Sequence, residues 1–176
     1  MRGKRGSLLI ESIVAINIAL IGLLGVLGLL SSSLTLNRDA GQKIIATYLA
    51  AEGVEVIKNM IDLNYVDGSV GWNNGIRTGS YEISYLRIET DLGGYERESE
   101  NVLWFDSLTG IYSYDSGNGE PTGFKRTVRI QENDNDGNVG TEEIVVNSIL
   151  KWPSKTGLQT INLEDHFFDW RVPAGP

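Results

Sequence analysis

Apolar residues crowd one end of the chain. From Ser7 to Leu36 the sequence reads SLLIESIVAINIALIGLLGVLGLLSSSLTL, with few polar interruptions. Crossing a bilayer takes about 20 apolar residues, whereas the apolar stretch of a secretory signal runs about 7–15. The segment therefore reads as a membrane-spanning helix. The pattern then changes without a break. Ala46, Ala50, Val54, Ile57 and Ile61 recur at helical spacing, flanked by Ile45, Leu49, Val56 and Met60. No proline falls between residues 7 and 62. One helix is predicted, fully apolar over 7–36 and amphipathic over 37–63, about 80 Å long at 1.5 Å per residue. Glu52 and Glu55 are assigned to its solvated face.

From Asn64 the period shortens. Gly, Asn and Asp clusters separate short runs of alternating β-branched and aromatic residues. Strands are predicted over 80–88, 102–105, 112–114, 124–131, 142–152 and 158–163. Asn133-Asp134-Asn135-Asp136-Gly137-Asn138 separates two cleanly alternating runs and reads as a hairpin tip. The β-rich domain is placed at 64–171 and a loose tail at 172–176. A long helix whose apolar stripe needs a cover, followed by such strands, predicts an α+β fold with the helix packed on an antiparallel sheet.

Composition narrows the function. The 176 residues carry a formal net charge of -8, which argues against nucleic acid as partner, because phosphate binding needs clustered cations. The chain has no cysteine, so disulfides, zinc-thiolate sites and cysteine nucleophiles are excluded. There is no phosphate-binding loop, no G-x-S-x-G and no H-E-x-x-H, and the lone His166 has no catalytic context. No enzymatic activity is expected. Tyr and Trp residues are assigned mainly to core packing, with surface adhesion as a second use.

The N-terminus carries the sharper chemistry. Met1-Arg-Gly-Lys-Arg-Gly6 is short and basic, which predicts a cytoplasmic leader and an outward-facing domain. Glu11 is the only charged residue between Ser7 and Asn37. A charge in the membrane interior costs at least about 2.5–3.5 kcal/mol and asks for a partner. Gly22, Gly25 and Gly28 would let another helix come close. Gly6-Ser7-Leu8-Leu9-Ile10-Glu11 resembles the processing signal of type IV pilins and type II secretion pseudopilins. The resemblance implies a pilin-like roll and cleavage after Gly6 by a prepilin peptidase. It also implies methylation of the new N-terminus at Ser7 and an assembly role for Glu11, which pairs with a neighbour's amino group. The chain departs from the common pattern at Ser7, where Phe or Met is usual. It departs again at Gly22–Gly28, where many major pilins carry a proline.

Ala46-Thr47-Tyr48-Leu49-Ala50-Ala51-Glu52-Gly53-Val54-Glu55 resembles a stretch of V-type minor pilins and I-type pseudopilins. The residues from Ile149 to Arg171 resemble the closing strands of the V-type proteins. The family resemblance implies other pilin subunits, the peptidase and the membrane as partners. It implies a single-pass precursor in the cytoplasmic membrane and then a cell-surface filament. A membrane-tethered binding or adhesion domain that never polymerises is the alternative. No cofactor is expected apart from a candidate calcium loop. There Glu132, Asp134, Asp136, Asn138 and Glu143 fall at ligand positions of a twelve-residue cation loop, although the flanks read as strands.

Overall fold

A computed structural model describes residues 4–85, 87–117, 119–133 and 143–169. The chain divides into two compact units between Lys43 and Ile44. Helix α1, Lys4–Asp67, supplies the described part of the first and opens the second. Its 64 residues correspond to about 96 Å of helix. It ends at Gly68, whose φ of 64° is the left-handed stop that glycine adopts freely, with its N–H donating to Asn64 O at 3.1 Å. The helix thus runs past 63, because Asn64 does not break it. The Asn64 amide instead donates to Trp72 O at 3.0 Å and Asn74 O at 2.8 Å, fixing the chain beyond the helix.

The second unit is built on an antiparallel sheet of five strands, β1 (Gly79–Ser84), β2 (Arg87–Asp91), β6 (Lys125–Asn133), β7 (Glu143–Ser154) and β8 (Gly157–Phe168), in the order β2-β1-β6-β7-β8. A smaller antiparallel sheet holds β3 (Trp104–Asp106), β4 (Ile111–Ser113) and β5 (Glu120–Pro121), ordered β4-β3-β5. The α+β class is as expected. Three local readings change; the last strand, expected over 158–163, runs on to Phe168. The run 80–88 is two strands, since the chain reverses after Ser84 and Ser84 pairs with Arg87. No glycine, proline or asparagine marks that reversal. Strand β5 was not expected, because Glu120-Pro121 lacks any alternation.

The predicted stripe is the buried one. Val54, Ile57 and Ile61 join Ile83, Val128, Ile130, Ile144 and Val146 in one core cluster. Ala46, Leu49 and Ala50 join Leu103, Phe124, Leu150 and Trp152 in another. Along β7, Ile144, Val146, Ser148, Leu150 and Trp152 point inward and the residues between them are partly exposed.

Gly53 lies on the helix between the two clusters. A Cβ there would sit 2.6 Å from Ser148 Oγ and 2.9 Å from Val128 Cγ2. The helix and sheet therefore approach at a distance that only glycine permits. Beside this contact Arg126 is fully buried. Its Nη1 donates to Leu49 O at 2.7 Å, and its Nη2 donates to Ile83 O and, at 3.3 Å, to Glu52 Oε1. Nη1 also lies 3.3 Å from Glu52 Oε2. Glu52 is thus no purely solvated residue. It is the counter-ion of a buried cation, whereas Glu55 is exposed and pairs with Lys58 at 3.4 Å. Tyr114 closes the site by donating to Arg126 O at 2.8 Å, and burial pushes its phenol well above the usual range.

Gly53→Ala is expected to destabilise the folded domain by about 1–3 kcal/mol through overpacking. Gly41→Ala, where nothing beyond the local helix backbone lies within 4 Å of the added Cβ, is expected to gain up to about 1 kcal/mol from helix propensity. Thermal unfolding of both variants measures the difference. Equal shifts would remove the close-approach role of Gly53.

Candidate functional site: the apolar helix and its carboxylate

The helix over residues 8–36 is held by its own backbone and by side chains that serve it. Ser12 Oγ donates to Leu8 O at 2.8 Å and Asn17 Nδ2 to Ile13 O at 2.7 Å. These polar groups are satisfied inside the helix, as a low-dielectric surrounding demands. Leu, Ile and Val side chains on every side of this stretch are exposed, from 50% at Val14 and Leu20 to 72% at Leu29. The helix is long and apolar enough to cross a membrane, and the apolar window lies near the N-terminus with none of it buried. Gly22, Gly25 and Gly28 have open space around them.

Glu11 is exposed on this surface. Among the described residues it has no hydrogen bond or ion pair. Gly6 and Ser7 lie within the helical backbone of α1, so Ser7 stands one turn before Glu11. The three residues singled out in the sequence are therefore adjacent on one helix end.

The calcium expectation falls on two described residues. Glu132 lies near the end of β6 and Glu143 begins β7, and Asp134, Asp136 and Asn138 lie outside the described residues. Glu132 Oε2 accepts from Thr78 N–H at 3.0 Å and Oε1 from Asn73 Nδ2 at 3.4 Å. Glu143 Oε2 accepts from Asn133 Nδ2 at 3.0 Å, and its Oε1 lies 2.6 Å from His166 Nδ1. The other imidazole nitrogen is 3.3 Å from Glu164 Oε1. His166 thus sits on the surface between two carboxylates of β7 and β8, a pairing that strand register alone brings together.

A larger polar groove, of about 1110 Å³, lies where residues 96–101 cross the sheet. At its floor Glu82 is buried, and it accepts from Ser99 Oγ at 2.5 Å and Asn101 Nδ2 at 3.0 Å. Neither this groove nor the Arg126 centre was legible in the sequence. No protein-family model, curated protein or solved structure matches the chain.

The hydrogen bond to Glu143, then that to Glu164, raises the His166 pKa above its ordinary 6.5. Bonds from Asn133 and then His166 lower that of Glu143. The raised imidazole contributes stability below its unfolded pKa and loses it as pH rises through the folded value. The lowered carboxylate contributes above its unfolded pKa and loses it as pH falls through the folded value. The pair is therefore strongest from about pH 5 to 6.5. A histidine titration by NMR is expected to place His166 above 6.5, and Glu143→Gln to bring it down. An unchanged midpoint in that variant would show that the bond does not act on the ring.

Proposed function

We propose that the chain is a structural subunit, a minor pilin or pseudopilin, of a type IV pilus or a type II secretion-like filament, with a pilin-like roll as its globular part. In this reading a prepilin peptidase cuts after Gly6 and methylates Ser7. The trimmed subunit waits in the cytoplasmic membrane with its globular domain outside, then joins a cell-surface filament by helix packing.

Glu11 is the observation that carries the reading. It is the one charge in the apolar stretch, it is exposed, and it has no partner among the described residues. A carboxylate in hydrocarbon without a cation is costly. Cleavage after Gly6 would create an amino group one turn away on the same helix. The same group on a neighbouring subunit, offset along the axis, could meet Glu11 as two helices pack side by side. Pairing between subunits would then neutralise both charges across the helix contact, which makes the carboxylate a register mark for assembly. The apolar surface on every side of the helix supports this, because such a helix needs cover all round. Lipid supplies the cover before assembly and other subunits supply it afterwards. The open glycines at 22, 25 and 28 favour close approach.

Intact mass of the protein from its native host tests the processing. The expected species lacks residues 1–6 and carries one added methyl group. A full-length, unmodified mass would favour a tethered binding domain that does not polymerise. Glu11→Ala tests the pairing. Membrane insertion is expected to persist and incorporation into filaments to fall by at least ~10-fold. Normal incorporation of this variant would sink the charge-pairing step.

A further inference from the structure

The small sheet β4-β3-β5 has two unlike faces. Phe105 pairs with Tyr112, and their rings meet on one side with centroids 4.8 Å apart. Trp104 pairs with Ser113 and Asp106 with Ile111, so these four side chains share the other side. Tyr85, from the turn after β1, adjoins them. Together with Asp115 they line a cleft of about 190 Å³. Gly119 makes this possible. A Cβ there would lie 3.1 Å from both Trp104 Cβ and Phe105 O, so glycine lets the chain close against the tryptophan.

Among the described residues, the lining of the cleft contains no lysine or arginine. Neighbouring donors hold its two carboxylates in place. Leu108 N–H donates to Asp106 Oδ1 at 2.8 Å and Thr109 Oγ1 donates to Asp106 Oδ2 at 2.8 Å. Gly117 N–H donates to Asp115 Oδ1 at 2.8 Å. Asp115 N–H donates to Ser113 Oγ at 3.3 Å. These bonds, that from Leu108 first, hold the Asp106 carboxyl below the usual carboxylate range, so it is ionised at neutral pH. The cleft thus offers fixed carboxylates and two aromatic rings, beside the Trp104 indole N–H and the hydroxyls of Tyr85 and Ser113. A ligand that matches carboxylates and ring faces carries a positive charge, as alkylammonium and guanidinium groups do. Such cations are also drawn to the faces of indole and phenol rings.

We propose that this cleft binds an organic cation, an alkylammonium or guanidinium group, against Tyr85 and Trp104 with Asp106 and Asp115 as its counter-ions. The site is independent of the filament reading and goes beyond it. The net charge of -8 would raise the local concentration of such ligands at low salt.

The test is an NMR titration of the Trp104 indole N–H in the full chain, held in a polyoxyethylene detergent that carries neither ammonium nor sugar. Trp104→Phe assigns the signal. Tetramethylammonium chloride and N-acetylarginine amide are the two probes, with sodium chloride at matched ionic strength as reference. A saturable shift is expected for the organic cations, with a dissociation constant on the order of 1 mM. Tighter binding of tetramethylammonium would identify a small free cation as the ligand class. Tighter binding of the arginine amide would identify a basic side chain. Asp115→Asn and Tyr85→Ala are each expected to weaken binding by about 10-fold. Tyr85 is exposed in a turn, so its variant keeps the fold even where the aspartate variant does not. A response no larger than that to sodium chloride overturns the proposal. So does saturation by methyl glucoside in place of the cations, which would mark a neutral sugar cleft.

Discussion

A guanidinium that water cannot reach has to find its partners inside the protein. The two Nη groups of Arg126 find them on two other elements, the carbonyl of Leu49 and the carboxylate of Glu52 on α1 and the carbonyl of Ile83 on β1, while its buried Nε has none among the described residues. Losing one partner of such a buried charge is costly, whereas the intact arrangement contributes little beyond what an apolar side chain would. Its effect here is on register. If the helix slid by one turn along the sheet, Glu52 and Leu49 would leave Arg126 behind. Gly53 is part of the same device, since any side chain there would lift the helix from Val128 and Ser148 and lengthen the bonds that Arg126 makes. Glu52, Gly53 and Arg126 thus act as one unit, though 74 positions separate Glu52 from Arg126 along the chain.

That fixed half explains the other half by contrast. Over residues 46–61 the apolar positions form a stripe because a sheet covers one side of the helix. Over 8–36 the apolar positions go all the way round and are exposed all the way round. The first pattern follows from the sheet that covers it, and the second is that of a helix long and apolar enough to cross a membrane. Polar groups obey the same division. Ser12 and Asn17 turn back on their own helix, while Glu52 reaches across to another element.

What could be read in the sequence was whatever repeats locally. The stripe from Ala46 to Ile61 and the alternation of β7 are periodic, and both were visible. Glu11 was visible because a charge in an apolar run is an exception to its surroundings. The Arg126 centre was not. In sequence, alternation puts Arg126 on the face of Phe124, Val128 and Ile130, but no local pattern shows that groups on α1 and β1 receive its guanidinium. The reversal at Ser84 hid for a related reason: apolar residues continue through it and no glycine, proline or asparagine interrupts. The cleft at Trp104 depends on register between β3 and β4 and on the contact at Gly119, neither of which leaves a local pattern.

Charge adds a constraint on any assembly through the helix. Three of the 15 basic residues, Arg2, Lys4 and Arg5, lie before Ser7, so a chain trimmed there is more acidic than the formal -8 of the whole. Subunits brought side by side would repel through their globular domains. The attraction has to come from the helices, from apolar contact and from one buried pair at Glu11. These two terms respond differently to salt. Repulsion between exposed charges is screened over about 8 Å at physiological ionic strength, while a pair inside an apolar helix bundle is screened far less. Moderate salt should therefore promote association in the filament reading. Assembly that weakens steadily with added salt would point to attraction between exposed charges instead.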